Sequence, residues 1–350
     1  MKNHSFISVI LPIRNEEKFV EPTLSALTNQ SYPKNLLEII ISDGMSTDKT
    51  RELVEKFKQN HTDLNIILLD NPEKTVPFAL NRAIRIAKGD VIVRMDSHSI
   101  YPDNYIETLV DALYEHNADN TGGIVETIPY KNSVKCAAIA SALSHPIGVG
   151  NSYFRIGSDK IREVDTVPFG CFRREVFDKA GLFDEELIRN QDDEFNGRMI
   201  NKGMKILLIP DIVVKYFARD SFSKLYKMYY QYGLFKPLAV KKLGKIPTVR
   251  QLIPLLFVLF LFGGALLSLS LIMIFFPLLL LYGGGIILYF AILLLFSFKE
   301  AVKKKMVLIT FPLVFSFVIL HFSYGCGYLL GLFALIFGIK SVFGNKTLSR

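Results

Sequence analysis

Cysteine is scarce in this chain of 350 residues: Cys136, Cys171 and Cys326 lie far apart, and none has the Cys-x-x-Cys spacing. Neither a disulfide framework nor a zinc site is therefore indicated, and the pattern favours free thiols in a reducing compartment. The N-terminal part also lacks the pattern of an export signal. The apolar stretch at residues 6–13 is interrupted by Pro12 and is followed at once by charged residues, without a small-residue cleavage site.

Charge is absent from two long stretches, residues 252–298 and 306–338. A helix that crosses a bilayer needs about 20 apolar residues, so the first stretch fits two spans and the second fits one long span or a short hairpin. Pro277 and the glycines at 283–285 are expected to mark the bend within the first stretch. Polar and small residues at 321–327 favour a turn within the second. The sequence therefore predicts three or four transmembrane helices.

The net charge of +8 is unevenly distributed. After residue 251 there are seven basic residues and one acid, which leaves +2 for the preceding part and argues against a nucleic-acid partner. Basic residues at 241–250 and at 303–305 flank the first stretch, and both groups favour the cytoplasmic side. We therefore expect a multi-pass protein of the cell membrane whose soluble part is cytoplasmic.

The first 100 residues alternate between two hydrophobic periods. Strands that alternate with helices of ten to fifteen residues indicate βαβ units, and these predict an α/β fold on a mostly parallel sheet. The predicted strands cover residues 5–13, 36–42, 65–70 and 90–95, and the predicted helices cover residues 16–30, 49–58 and 76–89.

Polar residues follow three of these strands, and ligands of parallel sheets bind at the carboxyl ends of strands. Each group also has a structural interpretation. Residues 14–17 can start a helix, Asp43 and Gly44 can form a turn, and Asp96 with His98 can cap the helix that begins near Pro102. Their joint placement at successive strand ends favours a common ligand site.

The order of five separated motifs resembles family 2 inverting glycosyltransferases with the GT-A fold. Among these the likeness is to membrane-anchored enzymes of succinoglycan-type exopolysaccharide synthesis, and it covers residues 6 to about 240. The motifs are VILPIRNEE, ISDGMSTDKT, RMDSH, GCFRREVF and QDDEFNGR. The resemblance implies a Rossmann-like GT-A domain at residues 1–220. Tyr and Lys at helical spacing beside the first span predict an amphipathic interfacial linker at 221–251, and the uncharged stretches predict a transmembrane module at 252–340, followed by a tail at 341–350.

The resemblance also implies a site for a nucleotide-sugar and a divalent cation, Mg²⁺ or Mn²⁺. Asp96 is the expected metal ligand. His98 stands where most of the superfamily has Asp, so it either binds the cation, hydrogen-bonds a phosphate or positions a water. The implied nucleotide-sugar-binding residues are Pro12, Arg14, Asn15, Glu16, Asp43, Gly44, Asn81, Arg82 and Asp96.

An inverting transfer needs a base for the acceptor hydroxyl. The resemblance places Asp192 in that role, within the run Gln191–Glu194, and the neighbouring Asp193 leaves a possible shift of one residue. The alternative is an acidic helix start capped by Asn190. Glu194, Arg198 and Gln231 are implied on the acceptor side.

The expected reaction is the addition of one sugar, from a UDP-sugar, to a polyprenyl-linked saccharide in extracellular or capsular polysaccharide synthesis. Processive synthases carry Q-x-x-R-W where Gln231 is followed here by Tyr-Gly-Leu-Phe-Lys, and this departure argues against polymerisation. Two alternatives stay open: a polyprenyl-phosphate glycosyltransferase, and a non-catalytic membrane scaffold that retains the fold.

Overall fold

The computed structural model describes residues 5–245, 248–270 and 276–344. The chain divides into two compact units. One unit contains the long apolar helices, and residues 127–156 belong to it although they lie within the predicted N-terminal domain. The predicted domain boundaries stay predictions. The first unit comprises Met1–Glu126, Gly157–Tyr216 and Phe343–Arg350, and the second comprises Thr127–Ile156 and Phe217–Val342.

The described residues contain one nine-stranded sheet, which is mixed rather than wholly parallel. Its strands are β1 (Ile7–Ile13), β2 (Leu37–Asp43), β3 (Asn65–Asp70), β4 (Val91–Arg94), β5 (Ser99–Ile100), β6 (Asn120–Ile128), β7 (Arg162–Glu163), β8 (Cys171–Arg173) and β9 (Ile206–Phe217). The order is β3-β2-β1-β4-β8-β6-β9-β5, with β7 paired to β9. Strands β1 to β4 run parallel, whereas β8 is antiparallel to β4 and to β6.

The helices of the first unit separate these strands and confirm the predicted alternation. Strands β1, β2 and β4 are buried along almost their whole length, which is why they read as runs of Ile, Val and Leu. The helices are α1 (Val20–Thr28), α2 (Thr50–Asn60), α3 (Val76–Ile86), α4 (Tyr105–Glu115), α8 (Glu175–Ala180) and α9 (Gln191–Asn201).

The second unit is helical, and three of its helices are long and apolar enough to cross a membrane. The helices are α5 (Val134–Leu143), α6 (Pro146–Val149), α7 (Tyr153–Ile156), α10 (Phe222–Leu243), α11 (Ile253–Ser270), α12 (Phe276–Lys303) and α13 (Thr310–Ile336). The three candidate spans are Val249–Ser270, Phe276–Lys303 and Val307–Ile336.

Two predicted breaks in the apolar stretches are wrong. Helix α13 runs without interruption through residues 321–327, where a turn was expected, and the glycines at 283–285 lie inside α12. Glycine is tolerated in apolar helices because all backbone groups are bonded within the helix and small residues let helices approach. Residues 271–275, between α11 and α12, lie outside the described residues.

The small residues of α13 face α10. A Cβ added at Gly327 would lie 2.1 Å from the Tyr230 carbonyl oxygen, and one added at Gly331 would lie 2.3 Å from the Leu234 carbonyl oxygen. The Gly-x-x-x-Gly pair therefore brings the two backbones into direct contact. Helix α10 starts at a Ser221 cap that accepts a hydrogen bond from the Lys224 N–H at 3.3 Å. The predicted interfacial segment is thus a helix packed along α13.

Candidate active site

The loops that leave β1 and β2 interlock. Asn15 has a positive φ of 54°, its N–H donates to Ser46 Oγ at 2.9 Å, and its Oδ1 accepts from the Thr47 N–H at 2.8 Å. The Glu16 N–H donates to Thr50 Oγ1 at 2.7 Å. The parallel register explains this proximity, since Ile13 lies opposite Asp43. The predicted convergence of residues 14–16 with Asp43 and Gly44 is present in the structure.

Asp43 is fully buried at the end of β2. Its carboxylate accepts hydrogen bonds from the Ser46 N–H at 3.1 Å and from Ser46 Oγ at 2.5 Å. Arg51 Nη1 approaches it at 3.4 Å and also pairs with Asp70 at 2.6 Å. A ligand N–H that binds Asp43 therefore has to share or replace these partners.

Gly44 allows the Arg14 side chain to lie against the turn after β2. A Cβ at Gly44 would stand 3.0 Å from Arg14 Cδ, which is closer than ordinary carbon contacts. The Arg14 Nη1 group extends to the Lys74 carbonyl oxygen at 3.4 Å. Arg14 therefore lies across the carboxyl end of β2, and its role in nucleotide binding stays a prediction.

Asn81 and Arg82, predicted near the diphosphate, have partners within the protein. Asn81 is 1% exposed, and its amide donates to the Phe183 carbonyl oxygen at 2.9 Å and to Glu185 Oε1 at 2.8 Å. Its carbonyl accepts from the Phe183 N–H at 3.0 Å. Arg82 pairs with Glu73 at 2.9 Å. Asn81 therefore ties α3 to residues 183–185, and its amide groups are engaged there rather than turned toward a ligand.

Asp96 follows β4 and is held on both sides. Arg94 Nε and Nη2 donate to its two carboxylate oxygens at 3.0 and 3.2 Å. The Asp96 N–H donates to the buried Tyr101 hydroxyl at 2.6 Å. Helix α4 begins at Tyr105 with Asn104 in the N-cap position, so the structure does not support the capping interpretation of Asp96.

His98 lies two residues further on, with its side chain 16% exposed. Its Nδ1 is 3.9 Å from Glu16 Oε1, and its ring meets Tyr216 edge to face with centroids 5.3 Å apart. The described residues contain no group of three or more His, Cys, Asp or Glu side chains arranged to hold a metal. Asp96 and His98 can therefore supply only part of a cation's ligands.

Asp192 lies in the first turn of α9, and Arg94 Nη1 donates to its Oδ1. Asn190 precedes the helix in the left-handed conformation and makes no side-chain capping bond, so it does not provide the cap that the structural alternative requires. Burial raises the pKa of the Asp192 carboxyl, Arg94 opposes this shift, and the charges of Asp96 and Asp193 add to it. The structure thus brings Asp192 together with Asp96 through one guanidinium.

Glu194 and Arg198, predicted on the acceptor side, support α9. Glu194 is 2% exposed and accepts two hydrogen bonds from Arg198, at 2.6 and 2.9 Å. Arg198 also donates to the Leu182 carbonyl oxygen at 2.7 Å. The fully buried Phe195 packs against Phe183 with centroids 4.4 Å apart. These contacts fix the helix that carries Asp192.

Gln231, the third residue predicted on the acceptor side, belongs to the second unit. It lies on α10 and is 2% exposed there. The residues described above all belong to the first unit.

Two residues of the site carried no predicted role: Arg94 and Tyr101. Arg94 is 5% exposed and Tyr101 is 3% exposed. Burial lowers the pKa of an arginine, but the carboxylates of Asp192 and Asp96 outweigh it and raise the pKa of Arg94. The sequence carried a signal for Arg94, since this arginine is the last residue of the apolar strand Val91–Arg94. A charge buried at that position requires a partner of opposite charge.

Comparison with known proteins identifies the family. The chain is 33% identical over 245 residues, 68% of its length and 75% of the relative, to a Methanococcus voltae enzyme named dolichyl N-acetyl-alpha-D-glucosaminyl phosphate 3-beta-D-2,3-diacetamido-2,3-dideoxy-beta-D-glucuronosyltransferase. Residues 8–180 match the profile of Glycosyl transferase family 2. The chain belongs to that family. This family 2 glycosyltransferase is also 29% identical over 260 residues to the succinoglycan biosynthesis protein ExoA of Rhizobium meliloti, covering 74% of the chain and 77% of the relative.

A solved structure supports the fold assignment. The mannosyltransferase PcManGT from Pyrobaculum calidifontis, in complex with GDP-Man and Mn²⁺, superposes with a TM-score of 0.59 at 18% identity. The match covers 91% of this chain and 86% of that one. The predicted GT-A fold followed by apolar helices is confirmed.

Proposed function

We propose that the chain transfers one sugar from a UDP-sugar to a polyprenyl-linked saccharide, with inversion, on the cytoplasmic face of the cell membrane. The juxtaposition of Asp96 and Asp192 across Arg94 carries the proposal, because it pairs a carboxylate at a strand exit with a carboxylate that can act as a base. The name of the Methanococcus voltae relative includes a dolichyl-linked sugar, and this supports a lipid-linked acceptor for the present chain.

The donor's nucleotide would bind over the interlocked loops after β1 and β2. Asp43 would accept a base N–H in place of the Ser46 hydroxyl, and Arg14 would lie along the ribose and phosphates. Asn15, Glu16 and Gly44 shape the loops that hold these two side chains in place. Pro12 lies one residue before the end of β1. We assign no donor contact to Asn81 or Arg82, because their side chains are engaged elsewhere.

The donor set at the exit of β4 fits a hard divalent cation when a diphosphate completes the ligands. Asp96 is a carboxylate that already holds a cationic group, the guanidinium of Arg94, and His98 offers an imidazole nitrogen two residues on. Asp96 and His98 would hold Mg²⁺ or Mn²⁺, which when bound would neutralise charge on the departing diphosphate. The described residues offer no third ligand of these types, so the protein alone should bind the cation weakly.

Asp192 would remove the proton of the acceptor hydroxyl as that hydroxyl attacks the anomeric carbon from the face opposite the diphosphate. Its side chain is 36% exposed, so an acceptor can reach it, whereas the Arg94 side chain behind it is 7% exposed. A carboxyl whose pKa is raised is a stronger base than an ordinary aspartate. The backbone of α9, fixed by Arg198 and Phe195, keeps this base in position.

The acceptor's lipid accounts for the apolar helices. Helices α11 and α12 present large aliphatic side chains to their surroundings, with Leu266 68% and Ile287 72% exposed. Exposed apolar surface of this extent is expected where lipid chains cover it. We propose that the second unit anchors the enzyme in the membrane that holds the polyprenyl acceptor.

The test is a transfer assay with purified protein in detergent. Radiolabelled UDP-sugars are offered with either extracted lipid-linked saccharides or polyprenyl phosphate, in the presence of Mn²⁺. Label that enters the lipid-linked saccharides supports the proposal, and label that enters only polyprenyl phosphate contradicts the acceptor assignment. UDP binding without turnover on either acceptor would favour a non-catalytic scaffold.

A further inference from the structure

Arg94 joins carboxylates from two distant parts of the chain. Its Nε and Nη2 hold both oxygens of Asp96, at 3.0 and 3.2 Å, and its Nη1 holds Asp192. The Arg94 side chain is 7% exposed, so water can replace few of its hydrogen bonds to these carboxylates. These are the carboxylates to which the proposed function assigns the cation and the base.

The geometry requires an arginine. A guanidinium presents several N–H groups in a fixed planar fork and can bind two carboxylates at once, whereas the lysine ammonium is a point charge on a flexible stem. The backbone of Asp96 is also held in place, on the side away from Arg94. The Tyr101 hydroxyl holds the Asp96 backbone N–H at 2.6 Å, and the Tyr101 ring packs against Tyr105 with centroids 4.8 Å apart.

We propose that Arg94 is a positioning residue that couples loading of the donor to placement of the base. In the donor-free protein the guanidinium is shared between Asp96 and Asp192. A cation that binds Asp96 competes for the same two oxygens and repels the guanidinium, which then bonds Asp192 more fully. The base therefore takes its working orientation when the donor and its cation are in place. This inference rests on the proposed function.

The coupling predicts that Arg94 opposes the cation. The experiment measures UDP binding by calorimetry as Mn²⁺ is titrated, together with kcat and melting temperature. Arg94→Lys should lower the Mn²⁺ concentration at half-maximal binding, because a single ammonium competes less well for Asp96. It should also lower kcat by about tenfold or more, with a donor KM within a few-fold of wild type.

Arg174→Lys is the matched control. Arg174 is also a hydrogen-bonded arginine of the first unit, and its guanidinium donates to the Gly89 carbonyl oxygen at 2.6 Å and to that of Ala87. Its replacement should lower the melting temperature and leave the Mn²⁺ midpoint and kcat unchanged. If Arg94→Lys behaves like this control, the role of Arg94 is structural and the inference is wrong.

A double-mutant cycle separates coupling from simple charge effects. Asp192→Asn should raise the Mn²⁺ midpoint when Arg94 is present, because the guanidinium then stays on Asp96. In an Arg94→Gln background the same change should have little effect. An equal shift of the Mn²⁺ midpoint in both backgrounds would show that Asp192 attracts Mn²⁺ directly, and it would overturn the inference. UDP binding by the wild-type protein that does not depend on Mn²⁺ would overturn it as well.

The Mn²⁺ midpoints of UDP binding, unlike kcat, are independent of the acceptor. If no acceptor is glycosylated but the Mn²⁺ midpoints follow the cycle, the proposed function fails and the coupling of the two carboxylates stands. If transfer occurs and the midpoints do not follow the cycle, only the coupling fails.

Discussion

Three carboxylates of the candidate site, those of Asp43, Asp96 and Asp192, each form an ion pair with an arginine of the protein. Asp43 faces Arg51, and Asp96 and Asp192 share Arg94. A buried carboxylate without such a partner would cost several kcal/mol, so the pairs allow acidic groups to gather at one edge of the sheet. Because of these ion pairs, a ligand group that binds one of the carboxylates has to replace or share its arginine. At this scale the site is a set of ion pairs that a nucleotide-sugar and its cation would rearrange.

Substitutions at Asp96 and His98 test the cation site. Asp96→Ala should abolish the enhancement of UDP binding by Mn²⁺, because no carboxylate then anchors the cation. His98→Asp should keep that enhancement, since a carboxylate suits a hard cation, and His98→Ala should weaken it. Calorimetric titrations with melting temperatures provide the measurement. An unchanged Mn²⁺ curve in Asp96→Ala would contradict the metal assignment.

The pH dependence of the reaction tests the base. Asp192 must be ionised to accept a proton, so kcat/KM should fall as the pH drops through its pKa, and burial places that pKa above the ordinary 3.8. Because the shift favours the protonated form in the folded protein, the stability contributed by this group falls as the pH rises through the same range. In a profile of kcat/KM against pH, with UDP binding measured as a control at each pH, the acid limb should therefore have a pKa above the ordinary value. A limb at or below the ordinary value would argue against Asp192.

At the scale of elements, helix α9 and the pair α10–α13 show two ways of fixing a helix. The α9 helix is held by polar bonds of Arg198 and by an aromatic cluster around Phe195. The α10–α13 pair instead depends on glycines that let backbones touch. Local patterns predicted the strands of the parallel half because buried strands are continuous apolar runs. They mispredicted α13, because the small residues that suggest a turn in a soluble segment pack helices together in an apolar one.

Gly327 and Gly283 provide a matched pair for the helix contact. Gly327→Leu should separate α10 from α13 and lower the melting temperature in detergent, since a Cβ there would already be 2.1 Å from a backbone oxygen. A Cβ added at Gly283 in α12 would meet nothing within 4 Å, so Gly283→Leu should leave the melting temperature nearly unchanged. Thermal unfolding followed by circular dichroism measures both. Equal effects of the two changes would contradict the packing account.

At the scale of the whole molecule, one chain contains a family 2 catalytic unit and a helical unit with three segments that can cross a membrane. Length and charge alone indicated both parts. The central contact of the candidate site could not be predicted in this way, because Arg94 and Asp192 are 98 residues apart and no local period relates them. The sequence resemblance supplied Asp192 and Asp96 as separate residues, and only the folded chain shows the guanidinium between them.

The topology gives a prediction for the whole molecule. Reporters placed at residue 3 and at Lys304 should both lie on the cytoplasmic face, because α11 and α12 form an even number of spans between them and lysines favour that side. Reporter activity in whole cells measures this, and an external signal at Lys304 would contradict the arrangement.

The most direct test of the account compares Asp192→Asn with Asp193→Asn. These neighbours differ in their contacts, since Asp192 is the residue that accepts from Arg94. The measurement is the rate of sugar transfer alongside the dissociation constant of the UDP-sugar. The account predicts that Asp192→Asn abolishes transfer with donor affinity, measured at saturating Mn²⁺, within a few-fold of wild type, and that Asp193→Asn keeps most of the activity. Retained transfer in Asp192→Asn, or its loss in Asp193→Asn alone, would contradict the assignment of Asp192 as the base.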